Sequence, residues 1–125
     1  MTWSFSNDLP IYAQLIEQIK VGIATGMFSP GERLPSVRDL AMEAGVNPNT
    51  MQRALAQLES EGLVHSQRTA GRFVTEDGRR IDEMKRELAH GHMCAFIASM
   101  RRLAIPKEEA LAMLDAEYEK EMKQG

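Results

Sequence analysis

A short run of polar side chains begins at Asn47, in the stretch Asn47-Pro48-Asn49-Thr50-Met51-Gln52-Arg53. Amides, hydroxyls and guanidinium groups are the side chains that contact base edges in the major groove of DNA. Asn and Gln suit adenine, Arg suits guanine, and Thr contacts the thymine methyl group. Free backbone amides at a helix N-terminus also bind phosphate. By itself, however, the stretch is more typical of an ordinary helix cap followed by a solvated face, so the surrounding elements decide between the two interpretations.

Two short helices joined by a tight turn position this stretch. Ser36 is a suitable N-cap with Asp39 three residues later, so a helix is expected to begin there and to end at Gly45. Asn47 caps the next helix, and Pro48 occupies its first position. The link of about three residues is the spacing of a helix-turn-helix. In that motif the N-terminal part of the second helix enters the major groove.

The flanking segments predict the rest of a winged helix. Apolar residues in 10–26 recur at helical spacing, and 30–34 holds a turn signal before a very short strand. Strand-forming residues on both sides of Thr69-Ala70-Gly71 predict a β-hairpin with glycine in the turn. A hairpin directly after a helix-turn-helix makes the unit a winged helix, which we assign to residues 1–76.

The remaining residues, 77–125, predict two helices separated by Pro106. Helices of about 25 and 16 residues cannot bury their apolar faces in isolation, so a second copy of the chain is the simplest partner. We therefore expect a mainly α fold: a winged helix-turn-helix of three helices and a hairpin wing, followed by a two-helix dimerisation tail. The residues expected at the dimer interface are Ile81, Met84, Leu88, Phe96, Met100, Leu111 and Leu114.

Composition limits the possible classes of protein. The 125 residues are 43% hydrophobic and 26% charged, typical of a soluble folded chain. No apolar run approaches the ~18 residues of a membrane span, and no signal peptide is visible. The single Cys94 forms no internal disulfide, so we expect a reducing, cytoplasmic location and no membrane partner. The net charge of −3 does not by itself indicate nucleic acid, although every basic residue within 33–75 is an arginine, which suits phosphate and guanine.

A second set of residues resembles metal ligands. His90, His92 and Cys94 lie close together in the sequence. On a helix His90 and Cys94 share a face, whereas His92 points ~160° away from His90, so one helix offers at most two ligands. We expect no metal site. The sequence also lacks a phosphate-binding loop, a paired-carboxylate signature and a cofactor fingerprint, so we expect neither a cofactor nor an enzyme.

The stretch "GMFSPGERLPSVRDLAMEAGVNPNTMQRALAQLESEGLV", followed by "RTAGRFV", resembles the DNA-binding domain of the gluconate-repressor (GntR) family of bacterial transcription regulators. The resemblance spans about residues 9–75. The short two-helix tail is similar to the YtrA-type subfamily, in which the tail serves dimerisation. The resemblance implies a sequence-specific regulator of double-stranded DNA, namely a homodimeric repressor of a transporter-type operon. With the two-fold symmetry of a dimer, it implies a palindromic operator and association with the nucleoid when bound.

The resemblance also implies which residues contact DNA. Arg38 matches an arginine that contacts DNA in relatives, and Gly71 matches the wing tip that enters the minor groove. Several relatives carry arginine at the positions of Pro48 and Gln52, so this chain is expected to bind a different sequence, with Arg53 replacing the missing charge. The complete set of expected DNA-binding residues is Arg33, Ser36, Arg38, Asn47, Asn49, Thr50, Gln52, Arg53, Arg68, Thr69, Gly71 and Arg72.

Two alternatives remain open at the level of sequence. A winged helix can serve protein–protein contact, and the modest net charge is compatible with that use. The helical tail can also gate a regulator by binding a metal ion or a small ligand, although no effector is indicated by the residues.

Overall fold

The computed structural model describes residues 1–124; Gly125, the last residue of the expected tail, lies outside the described residues. The described chain forms five helices and one two-stranded antiparallel sheet. In order, these are α1 (Ile11–Ala24), α2 (Val37–Ala44), α3 (Pro48–Ser60), β1 (Val64–Gln67), β2 (Gly71–Val74), α4 (Gly78–Arg102) and α5 (Lys107–Gln124). This order confirms the expected winged helix followed by two further helices.

The core of the winged helix is built around α3, which contacts α1, α2 and β1. Met51, Ala54, Leu55 and Leu58 of α3 are at most 1% exposed. Full burial of a leucine or methionine side chain stabilises the fold by about 1.5–3 kcal/mol. Because these side chains share one face of the helix, the opposite face of α3 is left in solvent.

The chain divides into two compact units, Met1–Arg86 and a second that begins at Glu87. The expected DNA-binding domain, residues 1–76, lies within the first unit, which also includes the first turns of α4. Arg80 Nε donates a hydrogen bond of 2.8 Å to the carbonyl oxygen of Glu61. Met84 is 0% exposed. The Met84 side chain, one of the expected interface residues, is thus enclosed within its own chain.

A polar cluster fixes the C-terminal end of α3. The Glu61 carboxylate accepts hydrogen bonds from Lys20 Nζ at 2.8 Å and from Gln57 Nε2 at 3.0 Å. Partial burial raises the pKa of Glu61, but these hydrogen bonds and the charges of Lys20 and Arg80 outweigh it, so that the pKa lies below its usual value. The cluster ties α3 to α1 and to the start of α4.

In the second unit, α5 buries Ala110 but leaves most of its apolar side chains in solvent. The exposed large apolar residues of this unit are Met93, Phe96, Ile97, Leu103, Leu111, Met113, Leu114, Tyr118 and Met122. Phe96, Leu111 and Leu114 were among the expected interface residues, and Met100 is half-buried. Leu88 of this unit is also half-buried, as is Ile81 in the first unit.

None of the helices described for residues 1–124 combines the length and the apolar character that a membrane-spanning segment requires.

Candidate nucleic-acid interface

The N-terminus of α3 is held by a cap that the sequence predicts. Asn47 Oδ1 accepts a hydrogen bond of 2.8 Å from the backbone N–H of Asn49, and Pro48 follows in the first helical turn. Gly45 adopts φ +72°, a left-handed conformation that glycine reaches without strain and that turns the chain from α2 into α3. The Asn47 side chain is thus engaged in capping, whereas the side chain of Asn49 is left available.

The exposed face of α3 carries polar side chains that the sequence analysis expects to contact DNA. Asn49, Gln52 and Arg53 are exposed, and Thr50 is half-buried. At 100° per residue, Asn49 and Arg53 lie about 40° apart around the helix, opposite the buried face. Gln52 lies to one side of them. The helix therefore presents amides and a guanidinium together, in the arrangement that contacts with base edges require.

Arg53 is held by a residue outside the helix-turn-helix. Its guanidinium carbon lies 4.6 Å from the centroid of the Tyr12 ring, near the start of α1. Helical spacing identifies Tyr12 only as one of the apolar residues of α1, so sequence reasoning missed this contact. No local signal would have found it, because the two residues are far apart in the chain.

The N-terminus of α2 provides a second group of candidates. Ser36 Oγ accepts a hydrogen bond of 3.1 Å from the N–H of Asp39, as the expected cap requires. Arg38 is exposed in the first turn of α2. Ser36 thus acts within the chain, while the guanidinium of Arg38 extends from the surface.

The wing is a hairpin in which Ser66 faces Arg72 and Gln67 faces Gly71. The expected glycine lies not in the turn but at the first position of β2, and Thr69 is the turn residue with positive φ, at +67°. Gly71 itself has φ +108°, and a Cβ there would meet Arg33 Nε at 3.0 Å. A side chain at Gly71 is therefore disfavoured both by the backbone and by the neighbouring arginine.

The segment before α2 joins the edge of the wing. Arg33 forms an isolated antiparallel bridge with Phe73, and the N–H of Leu34 donates to the carbonyl oxygen of Arg72 at 2.9 Å. This agrees with the expected very short strand. A cleft of about 480 Å³ lies between the wing and the start of α2, with Arg33, Ser36 and Thr69 in its lining. The strand therefore brings residues from three segments to one concave surface.

Arg72 is placed differently from the other candidates. Its side chain is half-buried, and its Nε lies 3.7 Å from Glu59 Oε1, without a hydrogen bond to any described residue. The same Glu59 oxygen accepts a hydrogen bond of 2.6 Å from Ser66 Oγ. Arg72 of β2 thus contacts Glu59 of α3, and the sequence did not reveal this tertiary contact.

Several acids of the winged helix are engaged within the chain, whereas four of its arginines form no ion pair with any described residue. Three acids are engaged within the chain: Glu43 accepts from Trp3 Nε1, Glu59 accepts from Ser66, and Glu61 accepts from Lys20. Among residues 1–124, no ion pair involves Arg33, Arg38, Arg53 or Arg68. The unpaired cations therefore remain available to an anionic partner.

The metal-like residues of α4 form only a pair. Cys94 Sγ lies 3.6 Å from His90 Nε2, and both side chains are exposed. In the part of the chain that the structure describes, no group of three or more potential ligands could hold a metal ion.

A helix-turn-helix with a hairpin wing and an exposed polar recognition face defines a winged-helix DNA-binding protein. Residues 11–74 match the family described as bacterial regulatory proteins, gntR family. The chain therefore belongs to the GntR family of transcriptional regulators. It is a helix-turn-helix regulator that binds DNA, and regulators of this family are not enzymes.

Three known proteins illustrate the similarity. The HTH-type transcriptional repressor YtrA of Bacillus subtilis (strain 168) is 34% identical over 113 residues, which cover 90% of this chain and 82% of YtrA. A GntR family transcriptional regulator from Listeria monocytogenes has a TM-score of 0.85 and 38% identity, covering 90% of this chain and 98% of that one. The AraR DNA-binding domain in complex with an operator has a TM-score of 0.55 and 31% identity, covering 60% of this chain and 96% of that one.

Proposed function

We propose that the protein is a homodimeric repressor, located in the bacterial cytoplasm, that binds a palindromic operator through α3 and the wing. The observation that carries this proposal is the exposed surface of α3, where Asn49 and Arg53 lie opposite a fully buried face and Gln52 lies beside them. The similarity to AraR, whose DNA-binding domain is seen with an operator, supports DNA as the partner. The similarity to the repressor YtrA supports repression. The resemblance of this chain to the YtrA-type subfamily is our basis for proposing a transporter-type operon.

The apolar surface of the second unit supports the homodimer. Leu111 is 53% exposed and Leu114 is 38% exposed, and both lie on the side of α5 that carries the buried Ala110. A cleft of about 380 Å³ in the same unit is lined largely by apolar side chains, among them Phe96 and Met100. A contiguous apolar surface of this kind marks a protein contact site. We infer that a second copy of the chain covers it.

The dimer in turn determines the form of the operator. A two-fold axis relates the two copies, so each α3 contacts the same half-site sequence in opposite orientation. The two half-sites are then expected about 34 Å apart, one turn of DNA, or at a multiple of that distance. A palindrome follows from the symmetry.

Substitutions on α3 and α2 should affect binding in different ways. On an operator selected from a random duplex library, Asn49→Ala should cost about 1–3 kcal/mol, with a much smaller loss on a scrambled duplex, because base contacts carry the sequence information. Arg38→Ala should weaken binding to both duplexes and make it less dependent on salt, because phosphate contacts are independent of sequence. Fluorescence anisotropy titrations of both variants on both duplexes measure the difference.

Ser60→Ala is the matched control. Ser60 lies on the same exposed side of α3 as Asn49, but about 16 Å further along the helix from it. It should leave both affinities unchanged. If Asn49→Ala keeps its fold and still prefers the operator as strongly as the wild-type protein does, α3 is excluded as the recognition helix. That result would favour the protein–protein use of the winged helix.

A further inference from the structure

Arg53 is the charged residue at the centre of the exposed α3 face, and its side chain is already positioned before any DNA binds. The guanidinium lies over the ring of Tyr12 at 4.6 Å. No carboxylate of residues 1–124 forms an ion pair with Arg53. The aromatic ring, and not an acid, is therefore what restrains this cation.

The chemistry of the contact suits a group that must later bind DNA. A guanidinium stacks on an aromatic face through its planar surface, which leaves its N–H groups directed outward around the edge. A carboxylate partner would instead occupy those donors and would have to be displaced. The contact with the ring thus restricts the Arg53 side chain without engaging its N–H donors in an ion pair.

The restraint has a consequence for affinity. A free arginine side chain populates many rotamers, and ordering it on binding costs conformational entropy. When the ring of Tyr12 limits those rotamers in the unbound protein, part of that cost is removed from the binding step. The benefit is confined to DNA sequences that Arg53 contacts in this orientation.

We propose that Tyr12 is a positioning residue for DNA recognition, which holds Arg53 of α3 in the orientation in which it contacts the operator. The proposal rests on the proposed function, since it requires that α3 contacts the operator. It extends the determinants of sequence preference to α1, outside the helix-turn-helix. The ring is the essential feature, because the Tyr12 hydroxyl has no hydrogen-bond partner among residues 1–124.

The test is a double-mutant cycle in the full-length protein on the selected operator and on a scrambled duplex. Tyr12→Leu should lower operator affinity by about three- to tenfold, the range expected for loss of a stacked cation, with little change on the scrambled duplex. Tyr12→Phe keeps the ring and should retain the wild-type affinity to within about twofold. The Tyr12→Leu/Arg53→Ala double variant should bind no more weakly than Arg53→Ala alone, because the two residues act through one contact.

Thermal unfolding of each variant is the control, since Tyr12 is half-buried. If Tyr12→Leu lowers the Tm, Tyr12→Met replaces it, because the longer, unbranched methionine side chain adapts better to the space and carries no ring. A loss with Tyr12→Phe as large as that with Tyr12→Leu would overturn the proposal by showing that the hydroxyl itself contacts DNA. Losses that add in the double variant would also overturn it.

Failure of this inference is distinguishable from failure of the proposed function. Should Arg53→Ala leave operator affinity unchanged while Asn49→Ala reduces it, the positioning role is wrong and the DNA-binding role stands. Should the wild-type protein show no preference for any duplex over its scrambled version, the proposed function itself fails.

Discussion

The Leu111→Glu/Leu114→Glu variant should be a monomer, and its affinity for a full palindromic operator should fall by about 10²- to 10⁴-fold. Both leucines are more than a third exposed on the apolar side of α5. Burying two carboxylates in a dimer interface is strongly unfavourable unless each finds a partner. Without the dimer, the second half-site no longer binds as an intramolecular step, and the gain from linkage is lost. Sedimentation and operator titration measure the two effects.

The Ala112→Glu/Ala116→Glu variant controls for the added charge. Ala112 and Ala116 are exposed and lie on the side of α5 opposite Leu111 and Leu114. This variant adds the same two charges and should remain a dimer with nearly unchanged operator affinity. A wild-type protein that sediments as a monomer at micromolar concentration, or equal losses in both variants, would contradict dimerisation through this face.

Operator affinity should also depend steeply on salt although the whole chain carries a net charge of −3. With about 4–6 phosphate contacts per dimer, affinity should fall by about 10²- to 10³-fold between about 50 and 200 mM salt. We expect the unpaired arginines Arg33, Arg38 and Arg68 to supply such contacts, whereas Glu59 and Glu61 are engaged within the chain. These unpaired arginines, and not the net charge of the whole chain, are therefore expected to set the salt dependence.

Titration of the operator across a salt series measures this slope. Arg38→Ala serves as an internal check, because removal of a phosphate contact should reduce the slope. An affinity that does not change with salt would be incompatible with phosphate contacts and would favour a protein partner.

The features that the sequence predicted correctly are those with local causes. The caps at Ser36 and Asn47 each depend on a side chain and a backbone N–H no more than three residues apart. The turn at Gly45 depends on the conformation of a single residue. Because such interactions lie within a few residues of the chain, residue type and spacing are sufficient to locate them.

The features that were missed are contacts between distant elements. Periodicity showed that one face of α4 is apolar, but it did not show that Met84 is enclosed within its own chain. Likewise, nothing near Tyr12 in the sequence indicates that its ring lies under Arg53. The pairing of Arg72 with Glu59 also depends on how the wing meets α3. Helical spacing identifies a face, whereas the partner of that face is set by the tertiary fold.

Selection of the full-length protein on a random-sequence duplex library tests the central claim most directly, namely that α3 binds base edges in a palindromic operator. We expect enrichment of an inverted repeat whose half-site centres are separated by about 10–10.5 base pairs or a multiple of that spacing. The enriched duplex should bind the wild-type protein at least about 10³-fold more tightly than its scrambled version. Recovery of no common sequence after repeated rounds, with equal affinity for selected and scrambled duplexes, would contradict it.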